Sequence, residues 1–223
     1  MRTHRAKSGP LAIERIRAER KVSGRHQKAS ALIVCEGEFT EPFYLRGLIA
    51  YLQINSANVE VVAGQTRSNA VAVVKRARDR FVQMPRDRVF VVIDGEQADL
   101  PRALNHCKTP LQRENSKRGQ SEICIEPIIS LPCFEVWLLL HFRYSDQPFI
   151  CYADVLPTLR AYLPDYAKKD PYIFFKAGAG EGLHRAMINA HRLRASKLQT
   201  GGETPATDMD ILVKSLRAIS SVT

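Results

Sequence analysis

The sequence predicts an α/β fold in which helices flank a parallel β-sheet. Two continuous apolar runs, residues 31–35 and 89–93, are typical of strands buried on both faces of such a sheet. Between residues 30 and 127, strand-like and helix-like segments alternate, which favours a right-handed parallel layer. An acidic cluster follows each apolar run, and sheets of this class bind ligands outside the carboxyl ends of their strands. We therefore expect the functional site at that edge of the sheet.

Four strands and three helices are predicted in this α/β core. Pro42 falls in the first turn of the first helix, where proline is well tolerated. Asn69 is a suitable N-cap for the second helix, which places Val71, Val74 and Ala77 inward. A polar segment, residues 108–121, is expected to be mobile. In chain order the predicted strands are 31–35, 58–63, 88–93 and 122–126, and the predicted helices are 40–53, 69–82 and 98–107.

Helices dominate the prediction after Pro132. Residues 133–142 are almost all apolar and predict a mostly buried helix. Residues 168–182, with three glycines, predict a loop. Further helices are expected at 152–162, 181–198 and 207–219. The predicted organisation is a basic N-terminal arm (1–29), an α/β core (30–127) and a helical C-terminal part packed on that core (128–223).

Positive charge is concentrated at the N-terminus. The chain has a formal net charge of +10, and residues 1–30 hold nine Lys or Arg against two Glu. Such an arm either contacts a phosphate backbone or is a solvated tail. On the first interpretation, the candidate nucleic-acid contacts are Arg15, Arg17, Arg20, Lys21 and Arg25.

Cysteine spacing and hydropathy indicate a soluble, cytoplasmic protein. No two of the five cysteines have C-x-x-C spacing, so a zinc site is not indicated, and we expect reduced, buried thiols. The N-terminus lacks the apolar core of a signal peptide. The longest apolar stretch, residues 123–142, is interrupted by two glutamates and two prolines and does not predict a membrane span.

The acidic residues after the two apolar runs are the candidate metal ligands. Glu36 and Glu41 follow the first run, and Asp94 and Glu96 follow the second, both on one side of an extended segment. Carboxylates that converge repel one another unless a cation neutralises them, and hard oxygen ligands suit Mg²⁺ or Mn²⁺. Each residue also has a structural interpretation, since turns favour Asp and first helical turns favour Glu.

Two further residues are candidates with structural alternatives. Glu135 interrupts an apolar helix, so it needs a metal, a charged partner or an exposed position. Lys176 precedes the glycine-rich loop and either neutralises a scissile phosphate or is a surface lysine. The glycines at 178, 180 and 182 lack the P-loop spacing and its Lys-Ser/Thr ending, which excludes a Walker A site.

Three motifs stand out in the chain: Glu36-Gly37-Glu38-x-Thr40-Glu41-Pro42-x-Tyr44, Asp94-Gly95-Glu96, and the segment from Leu131 to Phe142, with a weaker one at Lys168-Lys169-Asp170. In these motifs the chain resembles the RloB-like family, a branch of the Toprim superfamily. The resemblance implies a Toprim-like four-stranded parallel sheet flanked by helices. It also implies that Glu36 acts in acid–base or metal chemistry and that Asp94 and Glu96 bind Mg²⁺, with Glu96 where the family pattern has Asp. Glu41 resembles a second acidic residue of the nuclease branch.

Two functional hypotheses follow from the resemblance. The first is a metal-dependent nuclease of DNA or RNA in bacterial antiphage defence, with Glu36 and Lys176 as catalytic residues. Its ligands would be Glu36, Asp94 and Glu96, with Glu41 and Glu135 as additional ones. The alternative is a non-catalytic protein that binds nucleic acid or partner proteins of a defence locus. A homodimer is compatible with both hypotheses.

Overall fold

The computed structural model describes residues 29–66, 68–115 and 119–220. In that part of the chain, seven strands and eight helices follow one another. Their bounds are β1 (Ala31–Cys35), α1 (Thr40–Tyr51), β2 (Val59–Val62), α2 (Ala70–Gln83), β3 (Arg88–Asp94), α3 (Leu100–Cys107), β4 (Leu111–Asn115), β5 (Gly119–Ile123), β6 (Ile125–Leu131), α4 (Glu135–Leu140), α5 (Tyr152–Arg160), α6 (Ile173–Lys176), α7 (Glu181–Thr200), β7 (Ala206–Thr207) and α8 (Met209–Ser220).

Five of these strands form one mostly parallel sheet in the order β2-β1-β3-β6-β7. β1 pairs in parallel with both β2 and β3, and β3 pairs in parallel with β6, whereas the short β7 is antiparallel to β6. The α/β class predicted from the apolar runs is therefore confirmed. The register sets Cys35 opposite Val92, so the chain segments that follow β1 and β3 leave the sheet side by side.

The sheet separates two hydrophobic cores. Ile33 and Cys35 face the core formed with α1 and the C-terminal helices, and Leu32 and Val34 face the core formed with α2 and α3. All five residues of β1 have no exposed surface, as expected of a central strand with a continuous apolar sequence. Asn69 caps α2 as predicted, because its side chain accepts the N–H of Ala72.

The fourth predicted strand was placed too early in the chain. Residues 122–126 span the end of one strand and the beginning of another, since β5 ends at Ile123 and β6 runs from Ile125 to Leu131. The preceding polar segment, predicted to be mobile, largely forms the antiparallel hairpin of β4 and β5. The hairpin sequence lacks the alternation of apolar and polar residues that is typical of strands. In the structure, Leu111 is buried opposite Ile123, and the Gln112 side chain donates a hydrogen bond to Glu122.

The C-terminal helices pack closely on the core and on one another. α4 is buried along its whole length, including Trp137 with no exposed surface. A buried carboxylate, Asp210 of α8, is paired with Arg194 of α7 and with Lys214. The predicted loop 168–182 contains one helical turn, α6. None of the described helices combines the length and the apolar character that a membrane crossing requires.

The cysteines are free thiols in different environments. Cys35, Cys107 and Cys133 are buried as expected, but Cys124 is exposed and Cys151 is partly exposed. Cys124 is the single residue between β5 and β6, where the chain leaves the hairpin. The expectation that these thiols are all buried was therefore wrong for Cys124 and Cys151.

We expect Phe174→Ala to destabilise the protein far more than Phe175→Ala, its neighbour on α6. Phe174 is fully buried, its ring centroid lies 5.2 Å from that of Tyr44, and its Cβ atom lies 2.7 Å from a Cβ built on Gly47. Phe175 is 52% exposed. Truncation of a buried Phe costs about 3–5 kcal/mol, whereas exposed positions usually change stability by less than about 0.5 kcal/mol. Urea denaturation measures both free energies of unfolding, and equal losses would contradict the described packing of α6.

Candidate functional site

An acidic pocket of about 360 Å³ lies at the carboxyl ends of β1 and β3. Among the described residues that line it are six carboxylates and one lysine, a formal excess of five negative charges. The lining comes from the turns after both strands and from the start of α4. The charged lining residues are Glu36, Glu38, Glu41, Asp94, Glu96, Glu135 and Lys168.

Glu36 follows the last residue of β1 and lies between two hydrogen-bond donors. Its Oε2 accepts the backbone N–H of Asp94 over 3.1 Å, and its Oε1 accepts the side-chain amide of Gln97. Burial raises the pKa of Glu36 to about 7; the Asp94 N–H opposes this rise, and the charge of Glu41 adds to it. Glu36 can therefore take up or release a proton near neutral pH.

Glu41 lies in the first turn of α1, and its carboxylate folds back over Gly37. Its Oε1 accepts the N–H of Gly37 over 3.1 Å, and the residue is only 6% exposed. A Cβ atom at position 37 would lie 1.9 Å from Glu41 Oε2, so glycine is needed for this close approach. Burial and the nearby Glu135 raise the pKa of Glu41 to about 6, against the opposing effects of the Gly37 N–H and Lys168.

Asp94 ends β3 and reaches the start of α4. Its Oδ1 accepts the N–H of Phe134 over 2.9 Å. Burial raises the pKa of Asp94 well above its usual value, and the charges of Glu41, Glu135 and Glu36 raise it further. Glu96 is exposed at the mouth of the pocket.

Glu135, the first residue of α4, is buried and paired. It is 3% exposed, and its Oε1 accepts the hydroxyl of Tyr166 over 2.6 Å. The Lys168 Nζ lies 3.9 Å from the same oxygen and 4.0 Å from the centroid of the Tyr152 ring. Burial lowers the pKa of Lys168, but Glu135, Tyr152, Asp94 and Glu41 together outweigh it, so the pKa is raised. Lys168 thus brings a positive charge to the deepest carboxylate.

The pocket offers the oxygen ligands that Mg²⁺ and Mn²⁺ prefer. Hydrogen bonds hold its inner carboxylates, since Glu36, Glu41 and Asp94 each accept a backbone N–H. Within the described residues, no three Asp, Glu, His or Cys side chains are already arranged as a metal-binding set. The donor chemistry therefore fits a divalent cation, and side-chain rotation would have to exchange hydrogen bonds for coordination.

The family model described as RloB-like protein matches residues 31–216, which is most of the chain. This chain belongs to the RloB-like family. The matched span begins at β1 and includes every described residue that lines the acidic pocket. No curated protein and no solved structure matches the chain.

In this RloB-like protein, the structure brings together the carboxylates that the sequence singled out as candidate ligands. The lysine expected beside them, Lys176, is not part of the pocket; it is exposed on α6 and pairs with Asp170. The arginines and the lysine of the basic arm, Arg15, Arg17, Arg20, Lys21 and Arg25, lie outside the described residues. The candidate ligands that share the pocket are Glu36, Glu41, Asp94, Glu96 and Glu135.

Sequence reasoning did not single out Lys168 and Gln97, which line the pocket, or Tyr166, which donates a hydrogen bond to Glu135. Lys168 and Tyr166 come from the loop after α5, far along the chain from the strands, and only the Lys-Lys-Asp motif at 168–170 pointed to that loop. Gln97 lies three residues after Asp94, and sequence reasoning considered only the acidic residues of this segment. Asp99 is the N-cap residue of α3, and its side chain accepts the N–H of Val71 over 3.0 Å at the start of α2.

We expect Glu36→Gln to stabilise the protein at pH 8 and to change little at pH 5. The pKa of Glu36 is raised from 4.5 to about 7 on folding, so the folded protein binds this proton more tightly than the unfolded chain. The contribution of this group to the free energy of unfolding is complete below about pH 4.5 and is lost as the pH rises through about 7. Gln removes the charge that forms at high pH.

The expected gain at pH 8 is about 1 kcal/mol after allowance for solvent screening, which corresponds to a rise in Tm of about 2–4 °C. Thermal unfolding at both pH values, without added divalent cations, measures it. Glu203→Gln, at an exposed position away from the pocket, is the matched control and should behave like the parent at both pH values. An equal shift of the Glu36→Gln Tm at pH 5 and pH 8 would contradict the assigned burial of this charge.

Proposed function

We propose that this RloB-like protein is a metal-dependent nuclease of Toprim type that hydrolyses phosphodiester bonds of DNA or RNA in bacterial antiphage defence. One observation carries the proposal. Glu36 follows β1, Asp94 and Glu96 follow the adjacent β3, and Glu41 and Glu135 join them in one pocket. Like charges gathered in a partly buried site require a cation, and Mg²⁺ or Mn²⁺ is the cation that such oxygen ligands suit.

The topology supports the Toprim assignment. Four parallel strands lie in the order β2-β1-β3-β6, and the acidic residues follow the first and third of the parallel strands in the chain. This is the arrangement that the Toprim resemblance implies for its catalytic Glu and its acidic pair. Glu96 is longer by one methylene than the Asp of the family pattern, and its exposed position leaves room for that difference.

Glu36, Asp94 and Glu96 would hold the metal, with Glu41 and Glu135 as additional ligands. A divalent cation bound there supplies charge neutralisation for the scissile phosphate and a more acidic water for attack. The Asp94–Phe134 and Glu41–Gly37 hydrogen bonds fix the approach of their carboxylates. The hydrogen bond from Tyr166 keeps Glu135 turned toward the pocket interior.

Where Asp94 and Glu96 hold the metal without it, Glu36 takes the acid–base role. With a pKa of about 7, its carboxyl group can accept a proton from the attacking water and later return one to the leaving oxygen at neutral pH. Among the described residues that line the pocket, Lys168 is the cation, so we assign to it the role of offsetting phosphate charge that the sequence suggested for Lys176. The basic N-terminal arm would add affinity for nucleic acid that depends on salt and not on sequence.

We expect the purified protein to cleave nucleic acid in the presence of Mg²⁺ or Mn²⁺ and to lose cleavage in EDTA. Plasmid, single-stranded DNA and total tRNA together cover the substrate classes. Asp94→Asn keeps an acceptor for the Phe134 N–H but removes the charge, and we expect it to lower cleavage by roughly 100-fold or more. Glu203→Gln, at an exposed position, should cleave like the parent.

Cleavage that persists in EDTA or in Asp94→Asn would contradict the proposal. Binding of nucleic acid without cleavage of any substrate, under all metal conditions, would favour the alternative: a non-catalytic protein that binds nucleic acid or a partner of a defence locus. The observation that favours this alternative is Glu96, which stands where the family pattern has Asp. Glu96→Asp would restore the family pattern, so cleavage by this variant distinguishes a weakened enzyme from a binding protein.

We expect the affinity for Mn²⁺ to rise steeply between about pH 5.5 and pH 7.5. Metal ligands bind in their deprotonated form, and Glu36 and Glu41, with pKa values of about 7 and about 6, hold their protons up to that range. Calorimetric titration of the full chain at several pH values measures the dependence. Glu36→Gln should flatten the upper part of the curve, and a pH-independent affinity would place the metal elsewhere.

A further inference from the structure

We propose that the substrate enters the acidic pocket as a single strand, along a surface where unstacked bases lie on exposed aromatic rings. This surface, the aromatic–lysine rim, comprises Phe39, Lys168, Lys169, Tyr172 and Phe175. The inference rests on the proposed nuclease function and adds the strandedness of its substrate. It is carried by three observations: the depth of the carboxylates, the side chains that border the pocket, and the rigidity of α6.

The inner carboxylates lie too deep in the pocket for a phosphodiester that is fixed in a duplex. Glu41 and Glu135 are 6% and 3% exposed, so the inner carboxylates lie below the protein surface. A reacting phosphate has to descend into a recess of about 360 Å³ that is closed on one side by the start of α4. A single strand can bend its backbone into such a recess, whereas a base-paired helix holds its phosphates on a stiff outer surface.

One border of the pocket combines positive charge with aromatic rings. Lys168 and Phe39 line the pocket itself, and the Lys169 Nζ lies 4.7 Å from the centroid of the Phe39 ring. These two adjacent lysines offset the negative pocket for an approaching phosphate backbone. Lysines interleaved with aromatic residues are typical of surfaces that bind single-stranded nucleic acid, where phosphates contact the cations and bases stack on the rings.

Tyr172 and Phe175 extend the rim away from the pocket. They are 65% and 52% exposed, and a spacing of three residues places them on one side of the α6 turn. Single exposed apolar residues are common on protein surfaces. Here two large exposed rings lie three residues apart on a segment that begins at the pocket lysine Lys168, which favours a binding surface over chance exposure.

The turn that carries these rings is held from beneath. Ile173 and Phe174 are buried, with at most 1% exposure, so α6 is anchored in the core between them. The Asp170 carboxylate accepts the N–H of Tyr172 over 2.9 Å and pairs with Lys176. An anchored turn presents its rings without a cost of ordering them on binding, as a stacking platform requires.

The test measures binding in the absence of turnover, with Asp94→Asn as the parent and EDTA present. The probes are fluorescein-labelled oligo(dT) and oligo(U) of about 12 nucleotides, within the usual length of single-strand sites, and a blunt DNA duplex of the same length. The double variant Tyr172→Ala/Phe175→Ala removes both rings. Leu198→Ala, which truncates an 83% exposed residue of α7, is the matched control.

We expect the double variant to bind at least one single-stranded probe roughly tenfold or more weakly, because each stacked base contributes substantially to affinity. Duplex binding, which depends on the basic arm, should change by less than about twofold. Phe175→Trp should keep single-strand affinity, and its added indole fluorescence should be quenched by the oligonucleotide. Trp137, the chain's own tryptophan, is buried and unable to stack on a probe.

Unchanged single-strand binding in the double variant, or equal losses for single strands and duplex, would overturn the inference and leave the rim as a surface for a protein partner. Absence of quenching in Phe175→Trp would do the same. Because Asp94→Asn and EDTA remove turnover in advance, these outcomes do not depend on nuclease activity. A protein that binds single strands through the rim and cleaves nothing would instead overturn the proposed function alone.

Discussion

The parallel pairing of β1 with β3 determines where every acidic side chain of the pocket can lie. With Cys35 opposite Val92, Glu36 leaves the sheet beside Asp94, and a backbone hydrogen bond from Asp94 to Glu36 joins the two turns. A shift of one residue in this register would turn the strand side chains to the opposite faces and separate the carboxylates. The two hydrophobic cores on either side of the sheet fix the register, so the site depends on packing that lies away from it.

Burial of several carboxylates, together with the repulsion between them, is the main energetic cost of this arrangement. The raised pKa values of Glu36, Glu41 and Asp94 show that burial and neighbouring charges oppose ionisation of all three. Backbone N–H groups, the Tyr166 hydroxyl and Lys168 offset part of that cost. Proteins commonly give up stability at the place where they function, and the pocket has the features of such a place.

The sequence was sufficient for the central strands and the acidic residues because both depend on local pattern. Continuous apolar runs identified β1 and β3, and the rule that parallel strands bind ligands at their carboxyl ends placed Glu36 and Asp94 together. The β4–β5 hairpin was missed because its mostly polar strands lack a clear apolar alternation. Lys168 and Tyr166 could not be assigned, since only the tertiary fold brings the loop after α5 to Glu135.

The carboxylates of the pocket also determine the reactivity of the thiols beside them. Burial raises the pKa of Cys35, at the end of β1, and the charge of Glu41 raises it further. The pKa of Cys133 is raised in the same way, by burial and then by Glu135 and Asp94. Thiolates, not thiols, react with oxidants and alkylating agents. Burial and the negative field that prepares the pocket for a cation therefore together hold the neighbouring sulfur atoms in the less reactive thiol form.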